Sequence, residues 1–231
     1  MKEEILNQRN IYDKAYSNDL CRDYLNQPFF KIIQKRYIDP MIKPKCLNIG
    51  CGCKAIKDSI NVDISFNALL QSRHINGKYV QADAYNLPFK NNSFDLIISM
   101  FCLHHISKIE IVANQIFRLL KKGGTFFAFE EFIPESRWFD FWGLSFLKKK
   151  QKKFYKEKIN LSHNRHYLKT IEENKKAFNK FVLNAETVVV EYMPTRFYSY
   201  EWAFIVSDLL QKIGFKKNRG RFLILKAKKR L

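Results

Sequence analysis

Residues 46–53 read Cys46-Leu47-Asn48-Ile49-Gly50-Cys51-Gly52-Cys53, and INVDIS at 60–65 and QADAYNLPF at 81–89 follow them. The first stretch is a short apolar run closed by glycines, the pattern of a buried strand that runs straight into a turn. Glycines at that point let the backbone adopt turns a Cβ forbids and come close to a ligand. Asp63 closes the second apolar run and Asp83 the third. In an open parallel sheet, ligands bind beyond the carboxyl ends of the strands, so two strand-end carboxylates beside a glycine loop define one candidate site.

Outward from that core the chain alternates short apolar runs with helical periodicity. Helical spacing of apolar residues covers 5–38, with a break near Pro28, and strands are predicted at 45–50, 60–64, 78–83, 93–101 and 125–132. Between the last two, residues 109–124 read as an amphipathic helix with basic residues in its last turn and Gly123 or Gly124 as its cap. A strand over 185–193, an amphipathic helix over 198–215 and a strand over 221–229 complete the chain. This alternation predicts an α/β fold, a single-domain, doubly wound, mostly parallel seven-stranded sheet with an N-terminal helical lid and a helical insertion after the fifth strand. With 231 residues and 46% hydrophobic content the chain can bury one full core. The expected parts of the single domain 1–231 are a lid over 1–40, a cofactor-binding core over 45–132, a substrate-side insertion over 133–184 and C-terminal strands and helix over 185–231.

A carboxylate at Asp63 can accept both hydroxyls of a ribose. An acid at Asp83, backed by the amide of Ala84, suits the edge of an adenine. Each Asp alone is equally a helix cap or turn residue; the pair beside the loop is what specifies an adenosine. The strings CLNIGCG, INVDIS, QADAYNLPFKNNSFDLIISMFCLHHI and RLLKKGGTFFAFEEF resemble motifs one to five of class I S-adenosylmethionine-dependent methyltransferases. The resemblance is to the broad group containing ubiquinone- and menaquinone-biosynthesis and small-molecule methyltransferases, over roughly residues 45–132. It implies S-adenosyl-L-methionine as cofactor and S-adenosyl-L-homocysteine as product. By position it also implies that Asn48, Gly50, Cys51 and Gly52 lie along the methionine part, and that Asp63 holds the ribose with Ile64 on the adenine. Asp83 and Ala84 would meet the adenine edge, Ser99, Met100 and Phe101 would flank the sulfonium, and Tyr12 and Tyr16 would belong to the lid.

Three departures from the family pattern stand out. Asn48 occupies the place of an acid and Lys54 that of a third glycine, and Asp63 comes only eleven positions after Gly52, too close for a full loop, helix and strand. The first helix is therefore expected to be a turn or two, or missing. The amino and carboxylate ends of the cofactor then need another anchor, Lys54 or an N-terminal residue.

Methyl transfer from a sulfonium is a direct displacement in which alignment of the nucleophile supplies much of the rate. Where the acceptor carries an acidic proton, His105 is the candidate base, with His104 and Glu131 behind it; the alternative for His105 is a helix-start residue that packs near the sheet. The expected acceptor is a small or lipid-like molecule. Residues 136–158, SRWFDFWGLSFLKKKQKKFYKEK, place aromatics before a dense basic run. That order fits core packing, or an interfacial helix on an anionic membrane surface. Trp138, Trp142, His163, His166, Tyr167 and Tyr198 are further pocket candidates.

The formal net charge of +19 follows from 41 Lys and Arg against 22 Asp and Glu. It reflects either compositional bias or an acidic partner. Nucleic acid is the less favoured partner, because the fourth motif reads SMFCLH where base-amino methylation goes with an Asn/Asp-Pro-Pro-aromatic loop. An RNA methyltransferase acting on another atom and a non-catalytic binding partner with this fold both stay open. A nicotinamide dehydrogenase would need the full G-x-G-x-x-G, and position 55 is Ala. The N-terminus lacks an apolar signal region and no run reaches membrane-spanning length, so a cytoplasmic location, with peripheral membrane contact as an extension, is expected. Five cysteines, an odd count, point to reduced thiols. Cys46, Cys51 and Cys53 lack a partner pair at zinc-ligand spacing, so no metal is expected.

Overall fold

The computed structural model describes residues 2–17, 28–131, 170–190, 202, 205–206, 209 and 220–230. Helix α1 spans Lys2–Ser17, and α2, Pro28–Ile33, continues into a π-turn over Gln34–Ile38. Strands β1 (Cys46–Ile49) and β2 (Ile60–Asp63) follow, then helix α3 (Phe66–Ser72), β3 (Lys78–Gln81), β4 (Phe94–Met100) and helix α4 (Ile109–Leu119). The chain proceeds through β5 (Leu120–Glu131), helix α5 (Ile171–Ala177), β6 (Phe181–Val190) and β7 (Gly220–Lys229).

The seven strands form one sheet in the order β3-β2-β1-β4-β5-β7-β6. Pairs β1–β2, β1–β4, β2–β3 and β4–β5 are parallel, and β7 runs antiparallel to both neighbours. This is the predicted sheet. Side chains alternate between its two faces. Leu47, Ile49, Ile97, Phe126 and Ala128 pack with Ile109, Val112, Ile116 and Leu119 of α4. Leu96, Ile98, Phe127 and Phe129 pack on the other face with Phe30, Ile33 and Ile38. Phe126, Phe127 and Phe129 are fully buried, each stabilising the fold by roughly 1.5–3 kcal/mol.

Several elements differ from the sequence expectation. The absence of a helix between β1 and β2 is not one of them, since the close spacing of Gly52 and Asp63 left room for a turn or two at most. Helix α4 ends at Leu119, and the following Lys121–Gly124 segment enters β5 through a register shift between Phe94 and Leu96 of β4. The glycines therefore serve a bulge rather than a helix cap, and Gly123 takes φ +73° there. Helix α3 is unannounced by apolar periodicity alone, but Ser65 caps it by accepting from the Ala68 amide at 3.1 Å. Residues 202, 205, 206 and 209 are helical, whereas the remainder of the helix expected over 198–215, and the whole of 136–158 with His163, His166 and Tyr167, lie outside the described residues. Among the described residues no helix is long and apolar enough to cross a membrane.

Candidate functional site

The carboxyl ends of β1, β2, β3 and β4 open on one cavity, and helix α1 covers it. Asp63, buried at the end of β2, is aimed by the backbone: the Gly52 amide donates to Oδ2 at 2.7 Å and the Ser65 amide to Oδ1 at 2.8 Å. Both oxygens keep a second lone pair, as a diol needs. Burial raises the carboxyl pKa of Asp63, and the amides of Ser65 and Gly52 and the Lys54 charge oppose that rise. Asp83, half-buried, accepts from the Tyr85 amide at 2.9 Å through Oδ1. Its pKa is also raised by burial, against the pull of that amide. Ile64 and Ala84 line the cavity between the two acids.

Gly50 turns the chain at φ +62°, and a Cβ there would stand 2.1 Å from Cys102 Sγ. Glycine is therefore demanded twice, by conformation and by space. Gly52, at φ +52°, faces the Tyr16 hydroxyl, which a Cβ would approach to 2.8 Å. Phe101, just past β4, holds φ +54°, an uncommon geometry for a bulky residue that is found at functional sites. Its ring lies in the cavity wall.

Of the sequence candidates, Tyr12, Tyr16, Gly50, Lys54, Asp63, Ile64, Asp83, Ala84, Phe101 and His105 meet at this cavity. Asn48, Cys51, Gly52 and Met100 are not among its lining residues. Asn48 is fully buried in β1 and donates to Lys54 O at 2.9 Å and to Asn61 Oδ1 at 3.0 Å. Its role is to hold the loop. Met100 points to the opposite sheet face, among Ile98, Phe127 and Phe129, because side chains alternate along β4. Cys46, Cys51 and Cys102 are free thiols. Burial pushes the Cys46 thiol up to about 12 and those of Cys51 and Cys102 well above their ordinary value, so all three stay neutral. Cys53 is disulfide-bonded, contrary to the expectation that every thiol is reduced. Among the described residues no group of His, Cys, Asp and Glu is arranged to hold a metal.

Three residues of consequence escaped the sequence reading. Glu130, buried at the end of β5, accepts from the amides of Cys102 and Leu103, both at 3.0 Å, and pairs with His104 Nδ1 at 2.9 Å. It shapes the turn that carries His105. Asp13 of α1 accepts from the Ser65 hydroxyl at 2.7 Å and the Asn67 amide at 3.2 Å, which fastens α1 to α3. Asn61 anchors the loop after β1. None has a local signal, since each partner is distant in sequence. Over the cavity, the Tyr12 ring meets His105 edge-on at 5.4 Å, and Gln8 Nε2 donates to His105 O at 3.2 Å.

Residues 47–128 match the family model of a methyltransferase domain. An uncharacterized protein of Methanocaldococcus jannaschii is 28% identical over 212 residues, 89% of this chain and 72% of that protein. The human mitochondrial arginine-hydroxylase NDUFAF5 is 35% identical over 116 residues, and the match spans 45% of this chain but 34% of that protein. Haemonchus contortus phosphoethanolamine N-methyltransferase 2, solved with phosphomonomethylethanolamine and S-adenosylhomocysteine, superposes with a TM-score of 0.64 at 18% identity over 97% of this chain and 61% of that chain. Residues 47–128 thus match a methyltransferase domain, and their sheet is the one on which the Haemonchus enzyme was solved with S-adenosylhomocysteine. The residues present fit that group: two aimed carboxylates at adjacent strand ends, a backbone turn without Cβ atoms and an aromatic wall.

Proposed function

We propose that this protein transfers a methyl group from S-adenosylmethionine to a small or lipid-like acceptor. The observation that carries the proposal is the convergence of Asp63 and Asp83, from neighbouring strand ends, on one cavity that also holds Gly50 and His105. Asp63 binds the ribose hydroxyls, Asp83 and the Ala84 amide take the adenine edge, and Ile64 packs on the ring. Phe101 and Tyr16 enclose the remainder and exclude water. When bound, the cofactor supplies an electrophilic methyl on a sulfonium. His105 stands at the cavity wall as the base for an acceptor that must lose a proton. Residues 136–158, with aromatics before a basic run, support contact with an anionic membrane surface where the acceptor is a lipid, and we read the protein as cytoplasmic with that contact peripheral.

Two measurements test this. Calorimetry with S-adenosylhomocysteine should show binding to the wild type. With labelled S-adenosylmethionine, label should pass to amine, phenol or quinol acceptors. His105→Ala should retain S-adenosylhomocysteine affinity within a few-fold and lose about 10²–10⁴ in turnover on an acceptor that needs deprotonation. Full turnover across the pH range would remove the base role. A second reading comes from the human relative, named for arginine hydroxylation. Mass spectrometry of the modified acceptor separates the two, since methylation adds a CH₂ unit and hydroxylation an oxygen.

A further inference from the structure

Lys54 stands where the glycine loop would ordinarily have no side chain, and it faces the cavity. Its backbone is fixed on both sides: the Lys54 amide donates to Cys51 O at 2.7 Å, and its carbonyl accepts from Asn48 Nδ2 at 2.9 Å. Its ammonium lies 5.1 Å from the centre of the Phe30 ring and 5.2 Å from that of Phe101. Two aromatic faces hold a cation in a partly desolvated position, where its interactions are stronger than on an open surface. Burial lowers the Lys54 pKa, while Glu130 and Asp63 favour its charged form.

The strand order fixes which part of a nucleoside ligand reaches this cation. Asp83 and Asp63 follow β3 and β2, on one side of the site, and the sheet continues through β1 to β4. An adenosine held by the two acids directs its remaining length over the ends of β1 and β4, past Gly50 toward Phe101 and Lys54. Among the described lining residues, Lys54 is the one Lys or Arg. The carboxylate is the one anionic group of S-adenosylmethionine. The acid that would ordinarily stand at position 48 is Asn, whose Nδ2 is committed to the loop and which is not among the residues lining the cavity. The charged group on this side of the cavity is thus a cation, which complements the carboxylate of the amino-acid end rather than its ammonium.

We propose that Lys54 binds the carboxylate of the cofactor's amino-acid end and is the residue that selects for it. The assignment rests on the S-adenosylmethionine reading above. Decarboxylated S-adenosylmethionine keeps the sulfonium and the ammonium and lacks only this group, so the comparison isolates one interaction. Calorimetry on the full chain should show S-adenosylmethionine bound about ten- to a hundredfold more tightly than its decarboxylated analogue, as a charge-assisted hydrogen bond predicts. Lys54→Met should abolish that preference by weakening the carboxylated ligand alone, and Lys54→Arg should restore most of it. A preference unchanged in Lys54→Met overturns the assignment. So does an equal loss of both ligands in Lys54→Met with no restoration by Lys54→Arg, because that pattern marks a damaged site. Binding of neither ligand by the wild type overturns the cofactor reading itself, and this assignment with it.

Discussion

The pKa values of Asp63 and Asp83 are both raised, chiefly by burial, and the amides that aim the carboxylates oppose the shift. The sign has consequences for binding and for stability in opposite directions. A folded-state pKa above the unfolded value favours the folded protein where the carboxyl is protonated, and this contribution is lost as pH rises through the folded pKa. Ribose hydroxyls, in contrast, are best accepted by the ionised carboxylate. Affinity for S-adenosylhomocysteine should therefore start to fall on acidification at a pH above the ordinary Asp range, while the unliganded protein gains stability from these two groups over the same interval. Asp63→Asn should weaken binding by about tenfold or more and flatten the Asp63 part of the pH profile, since an amide does not titrate there. Titration calorimetry across that interval is the check, and a wild-type affinity that stays level down to the ordinary Asp range would contradict it.

Between β1 and β2 the chain does without a helix, and side-chain amides do the work of one. Asn61 Oδ1 accepts from the Ile56 amide at 2.8 Å and from Asn48 Nδ2 at 3.0 Å, and Asn61 Nδ2 donates to Ile56 O at 3.1 Å. Asn48 and Asn61 are paired in register across β1 and β2, so the network ties two strands and the loop together. Asn61→Ala leaves several of these buried groups without partners, each worth ~1–3 kcal/mol, and should destabilise the protein by ~2–4 kcal/mol in urea unfolding with an unchanged m-value. A loss below ~0.5 kcal/mol would show that water replaces the amide without penalty. The missing helix was legible from the eleven-residue spacing, because length is a local property of the chain. Asn61, Asp13 and Glu130 were not, because a polar residue in a strand or helix acquires its meaning from a partner brought in by the fold: Asp13 meets Ser65 across 52 positions and Glu130 meets Leu103 across 27. The same reason explains the end of α4. Lys121, Lys122 and two glycines read locally as a helix terminus, but pairing of Phe94 with Leu120 begins β5 immediately after Leu119.

At the scale of the whole molecule the class of sheet, seven strands and mostly parallel, was legible, since buried strands alternating with helices admit few topologies. How the last strand is fastened was not: Lys229 Nζ donates to Phe117 O and Leu120 O at 2.8 and 2.7 Å and to Asn92 Oδ1 at 2.8 Å, closing the exposed carbonyl end of α4 from the far end of the chain. That use accounts for one cation among 41 Lys and Arg, and the formal charge of +19 remains to be explained. Compositional bias and an acidic partner predict different behaviour toward vesicles. Residues 136–158 contain aromatics followed by a basic run, and each Lys or Arg near an anionic surface contributes about 1 kcal/mol. The protein should float with vesicles that contain phosphatidylserine at low ionic strength and stay in solution with neutral vesicles. Raising the salt to about 1 M, where the Debye length shrinks to about 3 Å, should release it. Replacing Trp138 and Trp142 by Ser should weaken flotation if the aromatics insert, and leave it unchanged if charge alone holds the protein to the surface. No flotation with either vesicle at low salt would remove the membrane as the partner of that charge, and the acceptor would then be sought among soluble molecules.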